Sequence, residues 1–334
     1  MSRHAVVLAL PGLGDAIMAT PALRQLRAAV TQLDAFCMQA ITKDYLESTG
    51  LFDEVVYAPL LESHPFRALR TIASLRARRY DLSVTIYPSY RWQYHVLSFL
   101  VGARRRAIDA GGSRFARILN PEAIQTGEGH NSERNLHIVE AVIARTSAIP
   151  TSSPRRGSQT GPIALHIGSM KYKGNEHKRW PISQFHELAR RFLQDGRRVL
   201  IIAGPHEGSE SEALAKRLGD GASVAHTGNF EQLIAHIDRA ALVVGNDTGV
   251  VHLSAQRGIP TVVLYGMTNP DLVRPLGTDV TVVRPSSCPP CFHPRDRMFY
   301  CKRNIGFRCV TDLSVQDAYS AATQALDQRK ASTA

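Results

Sequence analysis

Short, unbroken runs of valine, isoleucine, leucine and alanine recur along the chain, separated by longer stretches with helical apolar spacing. A strand buried on both faces reads as such a run, and parallel strands need a long crossover between them. This alternation therefore predicts a parallel α/β architecture. In the first half, strands are expected at 5–10, 35–41, 54–57, 82–87 and 106–108, with helices at 21–30, 65–78 and 132–145. The pattern stops over 149–162, a stretch rich in Pro, Ser and Gly that reads as a linker. It resumes with strands at 163–167, 198–203, 223–225, 241–245 and 260–264, helices at 182–193, 211–218 and 230–237, and a last helix at 314–328. The expected organisation is a domain over 1–148, a linker over 149–162 and a domain over 163–334. Each domain is a doubly wound, Rossmann-like sheet, and ligand is expected in the cleft between them.

The composition is that of a globular chain, with 44% hydrophobic and 21% charged residues, which excludes a disordered protein. Forty Lys and Arg against 29 Asp and Glu give a net charge of +11, an excess that favours acidic partners. No RNA- or DNA-binding motif is present, so nucleic acid is not the expected partner. Arginines crowd the first half (Arg67, Arg70, Arg76, Arg78, Arg79, Arg91, Arg104, Arg105, Arg106, Arg114 and Arg117), some of them on solvated helix faces, with Tyr87, Tyr90, Trp92 and Tyr94 interleaved. They suit a phosphorylated, membrane-embedded acceptor; core packing explains any one of the aromatics equally well. The first apolar run ends at Pro11, too soon for an export signal, and no run reaches the ~20 residues that span a bilayer. The five cysteines are odd in number and four of them are clustered. A reducing cytoplasm is expected, with the protein at most peripheral on the inner face of the membrane.

In an open parallel sheet, ligands bind beyond the carboxyl ends of the strands, where helices start. The glycine-containing polar clusters fall at such places: Gly12, Gly14 and Asp15 after the first strand, then Gly168 and Ser169, Gly204 and Glu207, residues 246–249, and residues 266–270. Asp15 would repel a phosphate, so it suits a general base facing a hydroxyl, or else the cap of the next helix. Small residues at 246–249 leave backbone N–H groups open to phosphate or sugar oxygens, and His252 follows about one turn later. The cationic loop 171–181, which includes Lys178, offers charge to a diphosphate leaving group. Lys178 and Asp247 are both expected on polar rims rather than in the core.

Taken together these segments resemble glycosyltransferase family 9, the ADP-heptose:lipopolysaccharide heptosyltransferase family. The resemblance rests on 10–24 (LPGLGDAIMATPALR), 130–136 (HNSERNL), 166–169 (HIGS) with 178–181 (KRWP), 246–252 (NDTGVVH) and 260–270 (PTVVLYGMTNP). It implies a GT-B fold and an inverting transfer of a sugar, heptose from ADP-heptose being favoured, to an anionic glycolipid such as lipopolysaccharide core. Asp15 matches the family's catalytic base. Ser169 and Lys178 match groups on the donor phosphates, and Asp247, Thr248, Gly249 and His252 match contacts to the sugar and diphosphate. The family usually has Thr where Ser169 stands.

No Asp-x-Asp pair occurs, so no cofactor or metal clamp is expected for catalysis. Cys288, Cys291, Cys301 and Cys309 leave two readings, a structural zinc or iron and free thiols in a packed loop; only the first pair has common ligand spacing. The rival functions are a GT-B-like sugar-nucleotide epimerase and an NAD-dependent oxidoreductase. The second is disfavoured by the incomplete glycine fingerprint and by Ile41, Thr42 and Lys43 where an acidic residue would stand.

Overall fold

The computed structural model describes residues 3–143, 158–170, 174–293, 296 and 298–331. They belong to two compact units, Met1–Pro150 and Thr151–Ala334. Most of the expected linker, the end of the helix expected to reach residue 145, and residues 171–173 of the cationic loop lie outside the described residues.

Unit 1 runs β1 (His4–Ala9), α1 (Leu13–Ala29), β2 (Gln32–Cys37), α2 (Ala40–Ser48), β3 (Glu54–Tyr57), α3 (Pro65–Ala77), β4 (Leu82–Thr85), α4 (Trp92–Val101), β5 (Arg105–Ala107), α5 (Arg114–Leu119) and α6 (Asn131–Glu140). Its five strands are all parallel, in the order β3-β2-β1-β4-β5. Helix α1 packs with α2, and α3 with α4; right-handed crossovers, the rule for parallel strands, would put the two pairs on opposite faces of the sheet. The chain reverses direction across the sheet between β1 and β4, which makes their carboxyl ends the switch point.

Two sequence expectations are corrected here. The second strand is Gln32–Cys37, not 35–41, and Ala40 already starts α2. Asp34 hides this strand in the sequence: its carboxylate is buried, taking hydrogen bonds from Tyr80 Oη at 2.9 Å and Arg78 Nη1 at 3.1 Å, with His4 Nε2 at 3.0 Å. A buried carboxylate so supplied with partners is compatible with a strand interior. Likewise α1 begins at Leu13, and Pro21 lies inside it rather than at its start. Tertiary burial of Ile17, Leu23 and Leu26 outweighs the missing backbone donor.

Unit 2 runs β6 (Ile163–His166), a 3-10 turn (Asn175–Lys178), α7 (Ile182–Gln194), β7 (Val199–Ala203), α8 (Gly208–Leu218), β8 (Ala222–His226), α9 (Phe230–Arg239), β9 (Leu242–Asn246), α10 (Gly249–Gln256), β10 (Thr261–Leu264), α11 (Pro270–Val273), β11 (Val280–Val283), α12 (Arg308–Thr311) and α13 (Val315–Ala331). The six parallel strands are ordered β11-β10-β9-β6-β7-β8, with the switch point between β6 and β9. Helix α7 packs through Phe185, Leu188, Ala189 and Phe192, an i, i+3, i+4, i+7 stripe. Burying each such phenylalanine contributes about 1.5–3 kcal/mol. No helix among the described residues is long and apolar enough to cross a membrane.

Candidate functional site

All six strands of unit 2 end at one edge, and the polar side chains collect there around the β6/β9 switch point. Asn246, fully buried at the end of β9, holds that point together. Its Oδ1 accepts from the Trp180 backbone N–H at 2.9 Å, and its Nδ2 donates to the carbonyls of Ile167 (3.0 Å) and Gly168 (3.2 Å). One amide thus ties the end of β9 to the end of β6 and to the turn that launches α7. Gly168 has no room for a side chain, because a Cβ there would collide with the Glu207 carboxylate at the end of β7.

Asp247 follows directly and is 8% exposed, so the expected polar rim is in fact nearly closed. Lys178 Nζ lies 2.7 Å from its Oδ2, and the Lys178 side chain is itself only 14% exposed. Thr268, beyond β10, donates to the same oxygen at 2.9 Å, and His252 Nε2 stands 3.9 Å from the other oxygen. Burial opposes ionisation of Asp247, but Lys178 and then His252 outweigh it and hold the carboxyl well below the usual carboxylate range. The Lys178 ammonium also lies 5.0 Å from the centre of the Phe299 ring.

Thr248 stands at the cap position of α10, yet its hydroxyl makes no capping bond. Its Oγ1 and the Nδ1 of buried His252 are both enclosed without a hydrogen-bond partner among the described residues. Two orphaned polar atoms beside an uncapped helix start, with Gly249 as the first helical residue, are what an arriving anionic ligand would satisfy. Ser169 is differently placed. Its hydroxyl donates to the Asn175 carbonyl at 3.0 Å and accepts from Arg179 Nε at 3.1 Å, so its proton holds the loop rather than standing open.

The sequence reading did not single out Arg179, which is central to this edge. Its guanidinium also donates to the Ser169 carbonyl at 2.7 Å and pairs with Glu210 at 2.9 Å and, more loosely, Glu207 at 3.8 Å. Its position next to Lys178, at the carboxyl end of a strand, was the available signal. A separate cavity lined by Pro162, Arg198, Gly221 and Arg239 opens at the opposite, amino-terminal edge of the sheet and includes none of these groups.

In unit 1 the corresponding edge holds Asp15. Gly12 is the cap residue of α1, which makes Asp15 the third helical residue rather than the cap, half-buried after β1 at the β1/β4 switch point. A carboxylate in a first helical turn is favoured by the helix dipole. On α6, which packs against α1, Asn135 accepts from the Tyr87 N–H at 2.9 Å. Arg134 donates to the Tyr87 hydroxyl and to Thr126 Oγ1, and Thr126 in turn donates to buried Asp109 at 2.5 Å. The helix that carries these residues starts in a capping box made by His130 and Glu133.

Residues 155–300 match the sequence profile of Glycosyltransferase family 9 (heptosyltransferase). The match takes in a little under half of the chain, and it is over this stretch that the chain is similar to the family. Lipopolysaccharide heptosyltransferase 2 of Salmonella typhimurium is 31% identical over 118 residues, which is 32% of this chain and 32% of that protein. The aligned stretch thus spans about a third of the relative's length. Over the whole chain the likeness is one of fold. A family 9 glycosyl transferase from Veillonella parvula superposes with a TM-score of 0.76 at 20% identity, covering 98% of each chain. The E. coli ADP-heptose lps heptosyltransferase II gives 0.73 at 17% identity, covering 98% of this chain and 99% of that one. The fold is GT-B, built from two Rossmann-like parallel α/β units.

Of the two readings of the four clustered cysteines, the structure lends the metal site no support. Among the described residues no group of three or more His, Cys, Asp or Glu side chains is arranged to hold a metal. Cys288 and Cys309 are buried in the apolar core of unit 2 with Val283, Val310 and Leu313, while Cys301 is half-buried and takes the Ile305 N–H on its sulfur at 3.4 Å. Burial first, then the neighbouring cysteines, pushes the Cys309 thiol up to about 12. The four are described as free thiols packed partly in the core.

Proposed function

We propose that the chain transfers a sugar from a nucleoside diphosphate to a hydroxyl of an anionic glycolipid, with inversion and without a divalent metal. The observation that carries this reading is the carboxyl edge of unit 2. There Lys178, Asp247 and His252 surround an uncapped helix start, with the Thr248 hydroxyl and His252 Nδ1 unpartnered. This chemistry fits a diphosphate: a cation and helix N–H groups to hold it, and a neutral or protonated imidazole to donate to it. Lys178 is shared between Asp247 and the leaving phosphates, and Gly249 lets the backbone come close to them. Ser169 acts mainly by shaping the loop with Arg179.

On this reading the acceptor binds residues 1–148 and the donor residues 163–334. Asp15 takes the proton of the acceptor hydroxyl, the oxygen forms the new bond to the anomeric carbon, and the nucleoside diphosphate leaves with the old bonding pair. The charge that develops on the departing phosphate is met by Lys178 and α10 rather than by a metal. The family's heptosyltransferase relatives make ADP-heptose the favoured donor and lipopolysaccharide core the favoured acceptor, in a cytoplasmic setting.

Thermal shift and kinetics test it together. ADP should raise the melting temperature while NAD does not. Asp15→Asn should leave that shift in place but lower turnover by roughly 10²–10⁴, the usual worth of a general base. Near-normal turnover in Asp15→Asn, with the fold intact, would remove Asp15 from the reaction.

A further inference from the structure

The Lys178 ammonium has two neighbours of different kinds. Its charge is 2.7 Å from the Asp247 carboxylate, and the Phe299 ring is centred 5.0 Å away. A ring face attracts a cation at this range, but it offers no lone pair. An ammonium carries three donors, so the ring steadies the charge while leaving donors for an arriving acceptor. A lysine side chain is long and flexible, and fixing it costs rotamer freedom. Something must hold the ring for the ring to hold the lysine.

Phe299 lies in the cysteine-bearing loop 288–309, and that loop is fitted to the turn that carries Lys178. Gly174, buried at the start of the turn with φ at +81°, comes so close that a Cβ there would stand 2.3 Å from the Phe299 carbonyl oxygen. His177 lies flat on Phe307, the ring centres 4.1 Å apart and the planes 12° from parallel. Phe307 itself adopts φ of +57°, a conformation that a phenylalanine keeps only where its surroundings enforce it. The Phe299 ring is stacked on Phe292 at 4.0 Å, and Phe292, Phe299 and Phe307 all pack against the core of unit 2. The backbone N–H groups of Cys291 and Phe292 both donate to the Met267 carbonyl at 3.0 Å. Met267 precedes Thr268, the hydroxyl donor to Asp247. The loop is thus fastened to the turn that carries Lys178 and to the segment that carries Thr268.

We propose that Phe299 is a positioning residue of the transfer reaction: its ring face, braced by Phe292, sets the Lys178 ammonium where the leaving diphosphate needs it. This rests on the reading of Lys178 as the cation that meets the diphosphate. The ring touches neither donor nor acceptor in this account and acts only through the lysine.

The test is a cycle of variants read by calorimetric titration with ADP. Phe299→Leu keeps apolar bulk and removes the ring, and should weaken ADP about threefold to thirtyfold, the range of a cation–π contact. Phe299→Tyr keeps the ring face and should bind within about twofold of wild type. Phe299→Met is a second apolar replacement, read in place of the leucine variant if that one melts early. On a Lys178→Met background, Phe299→Leu should change ADP affinity by less than about twofold, because the cation it served is gone. Turnover should fall with Phe299→Leu while the KM for the acceptor stays put, since the lost contact is to the leaving group. A folded Phe299→Leu that binds ADP like wild type would overturn the proposal. So would a loss of equal size with and without Lys178, which would make the ring merely structural. Lys178→Met binding ADP as tightly as wild type would instead strike the donor reading itself, whatever Phe299 does.

Discussion

Removing the Lys178 ammonium should unfold unit 2 more readily, and the size of the effect follows from how closed the site is. Asp247 is 8% exposed and Lys178 14%, with 2.7 Å between the charged atoms. Breaking a buried pair from one side costs about 3–5 kcal/mol, because a charge is left without its partner. Thr268 at 2.9 Å and His252 at 3.9 Å remain, which puts Lys178→Ala near the lower figure. For a unit of this size, about 3 kcal/mol corresponds to a melting temperature lower by roughly 6–12 °C. The pair Lys178→Met with Asp247→Asn removes both charges and should recover most of that loss, while transfer stays abolished in the single and the double variant alike. The pH dependence carries a sign. In the wild type the Asp247 carboxyl is held below its ordinary range, so its contribution is complete above the unfolded carboxylate pKa near 4 and is lost as pH falls through the depressed folded value. Without the lysine, burial raises that carboxyl's proton affinity, and the variant's deficit against wild type should shrink as pH falls below about 5. Calorimetric melting of the three proteins at neutral and mildly acidic pH reads all of this. A single variant melting within about 2 °C of wild type, or a double variant no better than the single, would refute the reasoning.

Transfer should survive chelation of divalent ions; loss on adding EDTA with recovery on adding magnesium would overturn the metal-free mechanism. Asn246→Ala should destabilise unit 2 by about 2–4 kcal/mol, measured by denaturant unfolding, because the Trp180 N–H and two carbonyls lose their partner in a closed site. Asn246→Asp should not rescue it, since a carboxylate cannot donate to the Ile167 and Gly168 carbonyls. Among the thiols, Cys301, lowered by backbone hydrogen bonds from Phe307 and Ile305, should alkylate first near neutral pH. Cys309, pushed up to about 12 by burial, should resist until unfolding, as peptide mapping of a labelling time course would reveal.

The parts of the fold that were legible in the sequence are those in which burial and composition agree. Strands β7 and β9 are continuous apolar runs packed on both faces, and their expected bounds fall within a residue of the observed ones. Strand β2 was misplaced because its interior carries Asp34, whose partners His4, Arg78 and Tyr80 come from distant parts of the chain. Helix α1 was shortened because Pro21 favours a helix start locally, while the sheet packing that carries the helix through it is tertiary. At the candidate site, residue types and spacing point to Lys178 and His252, and the resemblance to family 9 implies Asp247 and Thr248; the structure places all four on one edge. What spacing could not give was the closure of that edge: the inward ion pair, the commitment of the Ser169 hydroxyl to Asn175, and the bridging by Asn246 and Arg179. Each depends on which strands are neighbours, and the order β9-β6-β7 is not the order of the sequence.

The most direct measurement is the mass of the acceptor after incubation of the protein with ADP-heptose and extracted core lipid. Sugar transfer predicts an acceptor heavier by one heptose residue, with one ADP released for each residue added, and both changes slowed roughly 10²–10⁴-fold with Asp15→Asn. An unchanged acceptor would contradict it, most plainly if the ADP-sugar were converted to an isomer, which would turn the same fold and the same nucleotide site over to epimerisation.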